Sequence, residues 1–168
     1  MKKNMQIPIL PILAAAVVVV AAAVTLLPKL SPDTAPQQSE SAQIAENGDL
    51  VLQIEDIGTE ASFIDYDADG TTVQLFAVLA SDGTVRLALN TCQVCNGSPY
   101  AYFTQEGDWF ICQNCKNKFA STHVGIVSGG CNPIPITDGV YTQQEGTIRI
   151  PASFLTESAA LFQNWKNF

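Results

Sequence analysis

Two C-x-x-C pairs constrain this chain more than any other feature of its sequence. Cys92 and Cys95 form the first pair, Cys112 and Cys115 form the second, and sixteen residues separate the pairs. This spacing is typical of sites in which four thiolates bind one metal ion. Each C-x-x-C turn lets two sulfurs converge on an ion at about 2.3 Å for zinc, and two turns complete a tetrahedron. The pattern therefore predicts a tetrathiolate metal site on knuckles like those of a zinc ribbon or a rubredoxin.

The residues around the pairs favour the same arrangement. Strand-like segments, 87–89 and 109–111, lead into the two turns, and a hairpin between the pairs is expected to bring the turns side by side. Gly97 and Asn117 follow the pairs, and such residues readily adopt the left-handed conformation. Disulfides and dithiol redox chemistry are the alternatives, because disulfides persist outside the cytoplasm, where this domain is expected to lie.

A fifth cysteine and the single histidine lie downstream of the second pair. Cys131 belongs to the segment Gly-Gly-Cys-Asn-Pro at 129–133, in which glycines permit close approach of the backbone and proline stiffens the exit. We consider Cys131 a candidate additional ligand, a thiol that tunes the centre, or its redox partner; the alternative is a buried free cysteine. His123 is a candidate additional ligand because of its position between the second pair and this segment.

The N-terminal segment is predicted to anchor the chain in a membrane. From Met5 to Leu27 there is no charged residue, and at 1.5 Å per residue such a helix covers a hydrocarbon core of about 30 Å. Lys2 and Lys3 place the N-terminus in the cytoplasm and the rest of the chain outside. A cleaved signal peptide is the alternative. We expect an anchor at 1–27, a flexible linker at 28–47 and an extracytoplasmic metal-binding domain at 48–168.

The domain is predicted to be mainly β with one C-terminal helix. Apolar residues alternate from Leu50 to Ile54, and three pairs of strand-like segments flank turn residues, as hairpins do. These pairs are 71–80 with 84–89, 100–104 with 109–111, and 140–142 with 147–150. Asp65 to Gly70 matches half of a calcium loop, but the glutamate that completes one is missing, which favours an Asp-Gly turn. Pro151 opens a helix whose aromatic stripe should pack on a sheet.

Charge and motif content narrow the function classes. The formal net charge is −8, which argues against a nucleic-acid partner because phosphate binding needs a basic surface. No general acid and base pair, nucleophile triad or phosphate loop is visible, so we do not expect a stand-alone enzyme. A redox accessory remains compatible with the cysteines.

In its cysteine motifs the sequence resembles the FtrD-like family. The resemblance runs from about Glu46 to the C-terminus and rests on the order of strand, Asp-Gly turn, strand, the two C-x-x-C pairs around a hairpin, and Gly-Gly-Cys-Asn-Pro. The family is described as membrane-bound iron–sulfur proteins, some of which accompany ferrous-iron uptake systems with a permease, a periplasmic iron-binding protein and a cupredoxin-like protein. The resemblance implies an electron-transfer or metal-handling role beside such a permease.

The nature of the centre stays open at this stage. The N-terminus carries no twin arginine, and Sec-type export threads an unfolded chain, so a single iron or zinc ion acquired outside is easier to explain than a cluster built in the cytoplasm. We keep three hypotheses: an iron–sulfur or mononuclear accessory of iron transport, a structural zinc module for protein interactions, and a thiol-disulfide reductant.

Overall fold

A computed structural model describes residues 42–168, which contain short strands and one short α-helix. The elements, in chain order, are β1 (Ala42–Ile44), β2 (Leu50–Gln53), β3 (Ser62–Ala68), β4 (Thr71–Leu79), β5 (Val85–Cys92), β6 (Phe103–Glu106), β7 (Trp109–Cys112), β8 (Lys118–Ala120), β9 (Pro133–Pro135), β10 (Thr142–Gln144), β11 (Thr147–Ile150) and α1 (Ala152–Ser158). The prediction of a mainly β domain with a C-terminal helix is confirmed.

The strands form three antiparallel sheets. The terminal sheet has the order β1-β2-β11-β10, the central sheet β3-β4-β5-β9, and the ribbon sheet β6-β7-β8. The three predicted hairpins are present as β4 with β5, β6 with β7, and β10 with β11. The predicted Asp-Gly turn joins β3 to β4, and there the Asp67 carboxylate accepts a hydrogen bond from the Gly70 N–H at 2.7 Å.

Strand β4 is buried on both faces, which explains its nearly continuous apolar sequence. Val73 and Leu75 point into a core shared with the terminal sheet and α1. Phe76 and Val78 point into a second core shared with the ribbon sheet. The ring of Phe76 stacks on that of Phe110 from β7 with centroids 4.4 Å apart. The central sheet therefore separates two hydrophobic cores, and the cysteine motifs belong to the second.

The helix is shorter than its sequence pattern predicts. It begins after Pro151, as expected, but ends at Ser158 and continues as a 3₁₀ turn over Ala159–Leu161. Phe162 is nevertheless buried in the first core, and Trp165 packs against that core. The indole N–H of Trp165 donates to the backbone carbonyl of Asn90 at 2.8 Å, so a tertiary contact fixes the chain end where a longer helix was predicted.

The structure describes only the last part of the predicted linker and none of the predicted anchor. Strand β1 lies within the segment 28–47 that was assigned to a flexible linker, and it pairs with β2. Three residues are too few to show an apolar period, so no strand was predicted there, and β2 offers an edge with which they pair. The predicted anchor at 1–27 lies outside the described residues. Within 42–168, no helix has the length and apolar character needed to cross a membrane.

Buried amide side chains connect the central sheet to the ribbon sheet. Asn90 is 1% exposed, and its amide accepts from the Phe103 N–H at 2.7 Å and donates to the Phe103 carbonyl at 3.3 Å. It also donates to the side chain of Gln74 at 2.6 Å, and Gln74 donates to Asp65 at 2.6 Å. Buried amides of this kind are stable only while each group has a partner. Asn90 therefore fixes where β6 lies against β5.

Replacing Asn90 by alanine should destabilise the domain. The substitution leaves buried backbone groups of Phe103 without partners, which should lower the free energy of unfolding by about 2–3 kcal/mol. Urea unfolding of the full chain in detergent, followed by tryptophan fluorescence, measures this change. The exposed β10 residue Gln143 provides the control, since Gln143→Ala should shift stability by less than about 0.5 kcal/mol. Equal stability of both variants would contradict the proposed coupling.

Candidate metal centre

The two C-x-x-C pairs form equivalent turns at the ends of two strands. Strand β5 ends at Cys92 and β7 ends at Cys112. The N–H four residues after each cysteine donates to its carbonyl, from Asn96 at 2.9 Å and from Lys116 at 2.8 Å. In the first turn the Cys95 N–H also points at the Cys92 sulfur, 3.5 Å away. These turns direct the paired sulfurs to the same side of the chain, as a metal knuckle requires.

Gly97 and Asn117 were predicted to adopt the left-handed conformation after the two turns, and only Gly97 does so. Gly97 has a φ of 94°, as expected for the residue after Asn96. In the second turn Lys116 has a φ of 63°, and Asn117 does not take this role. The Asn117 carbonyl instead accepts a hydrogen bond from the Cys112 N–H at 3.0 Å. A lysine in this conformation costs about 1–2 kcal/mol. Contacts of the surrounding fold must offset that cost.

The two turns lie side by side, as predicted. Strands β6 and β7 pair with Phe103 opposite Cys112. The N–H of Cys92 donates to the carbonyl of Ala101 at 3.0 Å, so the first turn is attached to the chain that leads into the ribbon sheet. Side chains also link the turns, since the Ser98 hydroxyl donates to the side-chain amide oxygen Oδ1 of Asn114 at 2.7 Å. Backbone and side-chain contacts thus link the two cysteine turns.

All five cysteines lie close together and are free thiols. Their sulfurs form two groups, each with all members within 4.8 Å of one another: Cys92, Cys95 and Cys112 in the first, and Cys95, Cys115 and Cys131 in the second. Cys92 and Cys112 are buried in the second core, whereas the other three are partly exposed. Cys95 belongs to both groups. The structure therefore brings the four paired cysteines and Cys131 to one place.

The loop that carries Cys131 is fastened to the first knuckle by Gln93. Its side-chain oxygen accepts from the Gly129 N–H at 3.0 Å, and its side-chain N–H donates to the Pro133 carbonyl at 3.1 Å. The backbone N–H of Gln93 also donates to the carbonyl of Asn132 at 2.9 Å. Gly129 and Gly130 have φ values of 87° and 81°, which residues with a Cβ rarely adopt. The distinctive glycines are thus needed for the course of this loop.

His123 does not join the sulfur groups. It ends the 3₁₀ turn Ser121–His123, its side chain is exposed, and it belongs to neither group of candidate ligands. Its ring meets that of Phe119 edge-on, with centroids 5.8 Å apart. The structure therefore places this residue at the side of the ribbon sheet, and within residues 42–168 the donor set of the site consists of sulfur alone.

The thiols differ in acidity according to their burial. Burial raises the pKa of Cys112 to about 11 and also raises that of Cys92. Burial alone would raise the pKa of Cys115. A hydrogen bond from the Asn117 backbone and bonds with neighbouring thiols outweigh that effect, so the pKa of Cys115 is lowered. A hydrogen bond between the side chains of Cys131 and Cys115 raises the pKa of Cys131. Because thiolates are the metal ligands, a cation that binds here must displace protons from the buried pair.

The sequence patterns did not identify Gln93 as a structural residue. Each C-x-x-C pair has glutamine at its second position, so the repetition itself carried no information about which one matters. The side chain of Gln113, the counterpart, bonds within the ribbon hairpin and its own knuckle: to the Thr104 hydroxyl at 2.8 Å, the Ile111 carbonyl at 3.1 Å and the Lys116 ammonium at 3.1 Å. The two glutamines therefore form a matched pair of positions with different partners.

Gln93→Ala should loosen the Cys131 loop, whereas Gln113→Ala should not. Loss of two hydrogen bonds, each worth about 1 kcal/mol, should speed amide exchange in residues 125–133 by about thirtyfold. Hydrogen exchange with mass spectrometry on the full chain measures this rate. Equal exchange of the loop in both variants would show that Gln93 does not fasten it.

Comparison with known proteins places these motifs in a family. The match is to the family described as membrane iron-sulfur containing protein FtrD-like, and it spans residues 57–162, which include all five cysteines. This range is narrower than the Glu46-to-C-terminus resemblance expected from the motifs. No curated protein and no solved structure matches the chain. Because the match covers more than half of the chain and contains the complete sulfur cluster, this protein belongs to the FtrD-like family of membrane iron–sulfur proteins.

Proposed function

We propose that this protein is a membrane-anchored electron-transfer or metal-handling accessory of a ferrous-iron uptake system. The observation that carries the proposal is the cluster of five free sulfurs. In this proposal Cys92, Cys95, Cys112 and Cys115 hold the metal centre. The family description supports the membrane and iron–sulfur parts. The link to iron uptake rests on the resemblance to family members that accompany a permease.

The donor set fits an iron–sulfur centre. Iron–sulfur clusters are held by four cysteine thiolates, and the two knuckles supply four. The same set fits a single iron or zinc ion, because soft thiolates select these metals. The second core covers the site from behind with Phe103, Phe110 and Phe119, which limits solvent access to the buried sulfurs. Such a covering helps to set the potential of a metal centre.

The uneven exposure of the cysteines favours transfer at the surface over a purely structural role. A structural zinc site needs no open edge. Here Cys92 and Cys112 are buried, while Cys95, Cys115 and Cys131 reach the surface together. An exposed edge of this kind lets an electron or an ion pass to a partner. The candidate partners are a membrane permease and the iron-binding or cupredoxin-like proteins that accompany it.

The predicted topology places the site where such partners would be. The uncharged segment of 1–27 and the preceding Lys2 and Lys3 favour a single-pass anchor with its N-terminus in the cytoplasm. The metal-binding domain then lies outside the cytoplasm, beside the membrane. Iron that moves between this domain and a permease would then travel only a short distance along the outer surface of the membrane.

Metal analysis and visible absorption of the full chain, purified without oxygen in detergent, test the proposal. We expect a coloured iron centre, and we expect Cys92→Ser to remove its absorption because Cys92 is a buried ligand. Ser128→Ala, an exposed change in the Cys131 loop, is the control and should keep the spectrum. A colourless zinc protein would favour the structural zinc module. A metal-free protein with reversible disulfides would favour the thiol-disulfide reductant.

Removal of the metal should loosen one part of the domain more than the other. The ribbon and its knuckles have a small core and depend on deprotonated sulfurs, so chelation should raise amide exchange between Thr91 and Cys131. Strands β2, β3 and β4 should keep their protection because the first core supports them. Hydrogen exchange before and after complete chelation compares the two regions. Unchanged protection throughout would contradict the coupling of metal and folding.

A further inference from the structure

We propose that the five cysteines bind two metal ions, with the thiolate of Cys95 bridging them. The inner ion is held by Cys92, Cys95 and Cys112, and the outer ion by Cys95, Cys115 and Cys131. Cys115 completes the inner site when one ion is bound and turns to the outer ion when a second arrives. This inference rests on the proposed function only for the premise that these thiolates bind metal.

The geometry of the sulfurs points to two sites. A metal–sulfur distance of about 2.3 Å places the sulfurs of a three- or four-coordinate ion about 3.8–4.0 Å apart. The members of each group already lie within 4.8 Å of one another, so small side-chain movements close either set around an ion. Cys115 is not a member of the first group, and it lies instead with Cys131. The fifth sulfur is therefore placed as a ligand to the outer position.

The position of Cys131 is built into the fold. Two hydrogen bonds with the Gln93 side chain, one accepted and one donated, hold the Cys131 loop against the first knuckle. The side chain of Asn132 closes the same loop on itself by donating to the Gly129 carbonyl at 2.7 Å and to the Val127 carbonyl at 3.3 Å. A Cβ at Gly129 or Gly130 would meet no atom within 4 Å, so their positive φ values are what the loop requires. These features keep the sulfur of Cys131 within reach of Cys95 and Cys115.

The outer site suits a thiophilic cation that is exchanged with a partner. Three sulfur ligands select soft ions, and in the part of the chain that the structure describes neither histidine nor carboxylate joins the group. The three cysteines are partly exposed, and three ligands leave one position open to solvent or to a donor. The inner site, with two buried sulfurs, should bind more tightly and exchange more slowly. An ion that arrives at the surface would meet the outer site first.

Titration of the reduced, metal-free full chain with cadmium in detergent tests the inference. Sulfur-to-cadmium charge-transfer absorption and metal analysis after removal of unbound ion give the stoichiometry. We expect two equivalents for the unchanged chain and one for Cys131→Ser. Gly130→Ala keeps every sulfur but strains the loop, so it should weaken the second equivalent and spare the first. Ser128→Ala should keep both equivalents and serves as the control in the same loop.

The number of cadmium ions bound by each protein shows whether the second site, or the proposed function as well, is wrong. Two equivalents that fall to one in Cys131→Ser support the bridged pair, and the retained equivalent shows that the variant is folded. A single equivalent in both proteins overturns the second site and leaves the proposed function intact. Two equivalents in both proteins also overturn it, since the second ion then binds elsewhere. No bound cadmium in the unchanged chain overturns the inference and the proposed function together.

Discussion

The central sheet is the constraint on which the rest of this domain depends, because β4 and β5 are buried on both faces. Side chains of β5 point alternately into the two cores. Leu87 and Leu89 pack with the terminal sheet, while Ala88 and Cys92 face the ribbon sheet. A strand of this kind cannot slip by one residue without moving every side chain into the wrong core. The register of the central sheet thereby fixes where the first C-x-x-C turn begins.

The metal centre is attached to this sheet by polar contacts inside an apolar environment. Asn90 precedes Cys92 by two residues on the same strand and holds the backbone of Phe103, which pairs with Cys112. A single buried amide thus links the strand that carries the first cysteine pair to the hairpin that carries the second. Polar networks of this type are specific because an unsatisfied member is costly. This contact therefore helps to place the two cysteine pairs beside each other.

The patterns of the sequence identified much of the fold and the place of the site. Alternating apolar residues and Asp-Gly or Glu-Gly turns predicted three hairpins that the structure contains, since these signals are local in the chain. The C-x-x-C spacing likewise predicted two neighbouring knuckles. The aromatic stripe after Pro151 overestimated the helix, because Phe162 is buried in the first core and Trp165 donates to the Asn90 carbonyl, both through long-range contacts. Strand β1 was missed because three residues are too few to show an apolar period, and it pairs with β2 only through the tertiary fold.

By itself, the sequence determined the family, the sulfur-only character of the paired motifs and the β-rich class, because each depends on residue type and short spacing. The tertiary structure decided which other residues belong to the site. It brought Cys131 to Cys95 and Cys115, and it left His123 outside the sulfur groups. Both residues lie downstream of the second knuckle, and the Gly-Gly-Cys-Asn-Pro motif around Cys131 does not by itself show which sulfurs it meets. The difference arises because Gln93 fastens one loop to the first knuckle, a contact across 36 to 40 residues that spacing alone does not reveal.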